Sequence, residues 1–143
     1  MENEDDEDRI GDKIIDIEKY LEELATMIPA ELEEYEDSIS SKAACERYIE
    51  KIVGAVVDLG FLTIKEKDLD SPETEPQIFE ILCKNNIIKL ELSKRLKDAK
   101  KMRNVIVHQY REVNDETVFH ALNEELFPDV EEFIKAICDY LRR

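Results

Sequence analysis

Glycine and proline are scarce in this chain, three and four residues in 143, and tryptophan is absent. So few chain-breakers, with no alternating β-branched runs, argue against a sheet protein built from short strands and turns. Helices remain. Cysteine is scarce as well: Cys45, Cys83 and Cys138 are three in number and each sits inside an apolar helical pattern. No C-x-x-C or Cys/His spacing is present, so neither a disulfide framework nor a cysteine metal site is indicated, and three small buried thiols are expected. Two histidines, His108 and His120, are too few for a His-rich metal centre. No metal and no cofactor are therefore expected. Apolar runs fall far short of a bilayer span and no charged-then-apolar leader opens the chain, so a cytoplasmic protein away from the membrane is expected.

Charge, by contrast, is abundant and uneven. The chain carries a formal −16, which by itself speaks against nucleic acid as a partner. Between Lys84 and Arg111, however, nine basic residues face only Glu91 and Asp98, a window of +7. A basic segment within an acidic chain is the electrostatic footprint of a phosphate-bearing ligand, or simply a solvated helix face.

Along the chain, residues 1–8 (MENEDDED) read as an acidic disordered tail and residues 9–143 as one helical domain. Ile10, Ile14, Ile17, Leu21 and Leu24 recur at three and four residues, predicting a first helix up to about Met27, before Pro29. A second is predicted from Ser40 or Ser41 as N-cap to Leu59, with Gly60 ending it and residues 61–74 non-helical. A short helix follows from Pro76 to Lys84, then a long one carrying the basic residues. A last begins near Asp115, with Pro128 either kinking it or starting a second piece. The expected fold is all-α: an up-and-down bundle of four long helices plus short extra ones.

The long basic helix ends in RNVIVHQY, residues 103–110. On a helical wheel with Arg103 at zero, Met102, Val105 and Ile106 fall on the core side, near 260–270°, at about 100° per residue. Tyr110 lies about 20°, Asn104 about 100° and His108 about 140° from Arg103, all opposite that core. A histidine can exchange protons near neutrality, and a guanidinium can grip a phosphate and stabilise charge developing on it. Together they suffice for metal-independent RNA cleavage by the adjacent 2′-hydroxyl. Since Arg103 and His108 stand at opposite edges of the arc, the geometry predicts a homodimer in which two copies complete one cleft. A solvated face with a chance histidine stays open on these residues alone. His120 reads as a packed or surface histidine, and Arg47 as the partner of Glu46 in a surface pair, with an RNA-guiding role open for Arg47 and Lys101.

RNVIVHQY also resembles the R-x4-H-x-Y motif of HepT-like proteins in the HEPN superfamily. The likeness extends to AACERYIEKIVGAVVDLG, to FEILCKNNIIKLELSKRLKDAKKMRN and to the final VNDETVFHALNEEL and VEEFIKAI segments, in the same order. This resemblance implies a dimeric HEPN-type bundle and a ribonuclease toxin of a toxin–antitoxin system, with its cleft at the dimer interface. Arg103 and His108 would be the catalytic pair, Asn104 would assist, and Lys97, Lys100, Lys101 and Arg111 would meet the RNA. A minimal nucleotidyltransferase (MntA-like) antitoxin would transfer AMP onto Tyr110 and silence the site. The alternative from the same resemblance is a non-catalytic, substrate-binding subunit of that nucleotidyltransferase.

Overall fold

A computed structural model describes residues 2–142, with side chains from Asp8 onward. Four long helices form the body: α1 (Glu2–Ala25), α3 (Ile39–Glu66), α5 (Leu90–His108) and α7 (Leu126–Leu141). Three short ones connect them: α2 (Leu32–Asp37), α4 (Glu75–Lys84) and α6 (Asp115–His120). No strand occurs among the described residues. The all-α reading therefore stands.

α3 is the central post. Ile49, Ile52, Val53, Val56, Val57 and Leu59 are all buried on it, and α1, α4 and α5 pack around it. Its apolar residues point in several directions because it has neighbours on several sides, so its sequence shows a less clean stripe than α1. Phe79 of α4 and Phe133 of α7 meet edge-on beneath it, ring centres 6.0 Å apart, closing the middle of the core. Tyr35 of α2, fully buried, lies against Phe119 of α6 and ties the two short helices together.

Several boundaries differ from the sequence reading. The acidic residues expected as a disordered tail continue α1 back to Glu2. α3 begins two or three residues earlier than expected: Ser38, not Ser40 or Ser41, is its cap, and Ser38 Oγ accepts from the Ser41 amide at 3.1 Å. Gly60 does not end α3. A Cβ there would stand 2.6 Å from Ile78 Cγ2, so the missing side chain lets α4 approach closely, and the helix runs on to Glu66. Gly60→Ala is expected to destabilise the fold by about 1–3 kcal/mol, because the β-branched methyl of Ile78 has little room to retreat. Chemical denaturation of the two proteins would measure it, and equal midpoints would show that α4 simply shifts.

The actual stop is Asp68, in the left-handed region (φ 53), with Leu69 N–H reaching back to Ile64 at 3.0 Å. Asn86 (φ 59) ends α4 the same way, Ile87 N–H bonding to Leu82 at 2.9 Å. Pro128 marks the start of a second piece: it sits in the first turn of α7, which begins at Leu126 just after a π-helical turn over Ala121–Glu125. Proline cannot donate to the carbonyl four residues back, and the ladder changes register there.

Candidate functional site

α5 brings the motif to one end of the bundle and stops inside it. His108 is the last helical residue, Gln109 turns away with its N–H still bonded to Val105 at 2.8 Å, and Tyr110–Glu112 form a 3₁₀ turn. Asn114 then caps α6, its Oδ1 accepting from the Thr117 amide at 3.0 Å. Tyr110 therefore lies off the helix, and its expected position on the wheel beside Arg103 is lost. It is instead 73% exposed, with Val107 also in the open at 40%. His108 is exposed and makes no side-chain hydrogen bond or ion pair among the described residues.

Arg103 is the larger correction. The buried stripe of α5 runs Leu92, Leu96, Lys100 at spacings of four, so Arg103, three further on, inherits the core-facing edge and not the arc opposite it. Its guanidinium is folded towards α3 and α4. Nη1 donates to Asn104 Oδ1 at 3.1 Å and lies 3.8 Å from Glu75 Oε1. Nη2 lies beside Gly54, where an added Cβ would touch it at 4.0 Å. Nε is buried without a partner. Asn104, expected to assist the catalytic pair, is thus engaged with the arginine. In one chain Arg103 and His108 do not converge: the first turns inward under α4 and the second points to solvent from the end of α5.

The basic window is also less free than its composition suggests. Lys100 is buried, its ammonium 3.2 Å from the same Glu75 oxygen. Lys97 is paired with Glu80 at 2.7 Å, and Arg95 bridges α5 to α7 through Asp129 (2.8 Å) and Glu132 (2.7 Å). Of the four cations expected to meet RNA, Lys97 and Lys100 are committed to carboxylates. Lys101 and Arg111 are exposed and carry no ion pair among the described residues. Glu75 and Gly54 were invisible as site residues in sequence. The only hint at Glu75 is its place before Pro76 at a helix start, which fixes where its carboxylate sits but not what it meets.

Other candidate chemistry is weaker. Cys45 is buried, and desolvation together with the nearby Glu46 pushes its thiol up to about 11, which suits an inert core residue. Cys83 and Cys138 are only half-buried, against the expectation of three buried thiols. His120 sits at the surface 3.6 Å from Glu125. Arg47 pairs with Glu50 at 3.1 Å, one turn on, and not with Glu46 beside it, because neighbouring residues on a helix point apart. Among the described residues no cluster of His, Cys, Asp and Glu is arranged to hold a metal, and no helix is long and apolar enough to cross a membrane.

Residues 17–137 match the family model described as Ribonuclease HepT-like. The mRNA nuclease HepT of Shewanella oneidensis is 32% identical over 89 residues, which cover 62% of this chain and 66% of that protein. The tRNA nuclease HepT of Aphanizomenon flos-aquae is 26% identical over 107 residues, 75% of this chain and 73% of that one. A solved structure of a tri-AMPylated Shewanella oneidensis HEPN toxin in complex with MNT antitoxin superposes with a TM-score of 0.84 at 25% identity, over 91% of this chain and 96% of that one.

Proposed function

The chain belongs to the HepT-like ribonuclease family, and from that membership we propose that it is the toxin of a toxin–antitoxin pair, an endoribonuclease silenced by a nucleotidyltransferase. Two relatives described as RNA nucleases and a toxin–antitoxin complex of the same fold support the general reading. The observation that carries it to residues is the splayed pair on one helix: Arg103 held by Asn104 and Glu75, His108 free at the helix end.

In this reading the cleft forms between two copies. His108 removes the proton from a ribose 2′-hydroxyl, whose oxygen attacks the neighbouring phosphorus. Arg103 neutralises the charge gathering on the non-bridging oxygens. The bond to the 5′ oxygen breaks, that oxygen takes up a proton, and a cyclic phosphate remains. Nothing in these steps calls for a metal. Lys101 and Arg111, both exposed, are the cations free to follow the RNA backbone, with Lys97 and Lys100 contributing only if their carboxylates let go.

Tyr110, lifted from the helix on its 3₁₀ turn, is accessible to a second enzyme's active site. Its phenol oxygen would attack the α-phosphorus of ATP with loss of pyrophosphate, leaving an anionic AMP beside the cleft. The same exposure favours a second reading, a non-catalytic chain whose tyrosine and basic residues serve the nucleotidyltransferase. Incubating the purified, unmodified chain with total RNA separates the two. Cleavage is expected, and Arg103→Ala is expected to reduce it by about 10²–10³-fold, the scale of losing one transition-state charge partner. No cleavage by the unmodified chain, or undiminished cleavage by the variant, would end the ribonuclease reading.

A further inference from the structure

Glu75 lies 28 residues before the motif arginine, on a different helix, yet one of its oxygens serves both Lys100 and Arg103. Accepting the ribonuclease reading, on which this inference rests, we propose that Glu75 is a positioning residue for Arg103, and that buried Lys100 is the anchor that fixes Glu75.

A guanidinium has five N–H groups. In Arg103 the Nε hydrogen is enclosed, one Nη1 hydrogen goes to Asn104, and the Nη1 end faces Glu75. Nη2 is left, lying over the bare backbone of Gly54. A flexible arginine is thereby reduced to one orientation, with one nitrogen available to a phosphate oxygen. Asn104 alone would not do this, since a single hydrogen bond between sequence neighbours leaves the side chain free to swing.

Glu75 itself needs holding, because its side chain is 48% exposed. Lys100 supplies the hold. Its side chain is only 10% exposed, and its ammonium is closer to the shared oxygen (3.2 Å) than Arg103 is (3.8 Å). The chain also fixes Glu75 from below: Thr74, Glu75 and Pro76 begin α4, and the close approach at Gly60 presses that helix onto α3. The carboxylate is not used to cap α4; it is directed at α5. The relay thus runs Lys100, Glu75, Arg103, and the order of distances sets which contact is the anchor.

An ordinary surface tie between α4 and α5 would behave differently from a positioning group. Single-turnover RNA cleavage by wild type, Glu75→Gln, Glu75→Asp, Lys100→Met and the Glu75→Gln/Lys100→Met double variant distinguishes them, with thermal unfolding of each. Expected is a loss in kcat of about ten-fold for Glu75→Gln, the scale of a modest misplacement of a reacting group. KM should stay within about three-fold, since most backbone contacts remain. Glu75→Asp should recover most of the rate, and the double variant should be no slower than the slower single, as members of one relay must be. Unchanged kcat in Glu75→Gln, multiplying losses in the double variant, or a rate loss that merely follows the unfolded fraction would overturn the proposal. A wild type that cleaves no RNA would remove the ribonuclease reading and this inference with it, whereas a cleaving wild type matched by Glu75→Gln removes the inference alone.

Discussion

His108→Ala is expected to lower RNA cleavage by about 10²–10⁴-fold, the range for losing a positioned proton-transfer group, while leaving the fold intact. The side chain is exposed at the end of α5 and supports no neighbour, so its removal costs the bundle almost nothing. The sharper experiment combines it with Arg103→Ala. If each cleft takes its arginine from one copy and its histidine from the other, a dimer of the two single variants contains one cleft with both defects and one with none. Co-expressed in equal amounts, two inactive proteins should then recover about a quarter of wild-type activity, since half the dimers are mixed and each has one working cleft of two. If both residues act within the same chain, every cleft keeps one defect and nothing is recovered. The inward turn of Arg103 and the outward placement of His108 favour the first outcome.

Tyr110→Phe should have an effect of similar size on regulation. Mixed with a cognate nucleotidyltransferase and ATP, the wild-type chain is expected to gain one or more AMP-sized mass increments and lose its ribonuclease activity. The phenylalanine variant lacks the attacking oxygen, so it should show no increment and keep cleaving in the presence of the antitoxin and ATP. Its own cleavage should stay within about three-fold of wild type, because an exposed ring on a turn contributes little to the fold or to the proton transfers. Intact-mass measurement decides the point: an undiminished increment on Tyr110→Phe would move the acceptor elsewhere, and persistent cleavage by a modified wild type would sever the modification from silencing.

How much of this was legible beforehand depended on the kind of signal. The four long helices were, because apolar residues at three- and four-residue spacing force an amphipathic helix wherever they occur, as Ile10, Ile17, Leu21 and Leu24 do on α1. A glycine that ends a helix and one that admits a neighbouring helix look alike in one sequence; at Gly60 only Ile78, eighteen residues away, tells them apart. Arg103 is hidden for a related reason. Its charge and its apolar neighbours put it on the polar arc of a wheel, whereas the buried side of α5 runs through Lys100 to Ile106 with Arg103 between them, as an apolar scale cannot foresee. Tyr110 required knowing that α5 stops at His108, and no glycine or proline marks that stop. The motif residues themselves were all legible as types; the partners that orient them, above all Glu75, come from tertiary contact alone.

The ion pairs along α5 bear on how the molecule meets its substrate. Arg95, Lys97, Lys100 and Arg103 each already face a carboxylate, so at distances larger than the pairs themselves, though still within a Debye length, they cancel against it and the −16 of the whole chain is felt. For a polyanion that net charge opposes approach, and the paired cations help only at contact. On the ribonuclease reading, such a protein would not sweep up passing RNA; it would accept a strand that thermal motion has already carried to the cleft.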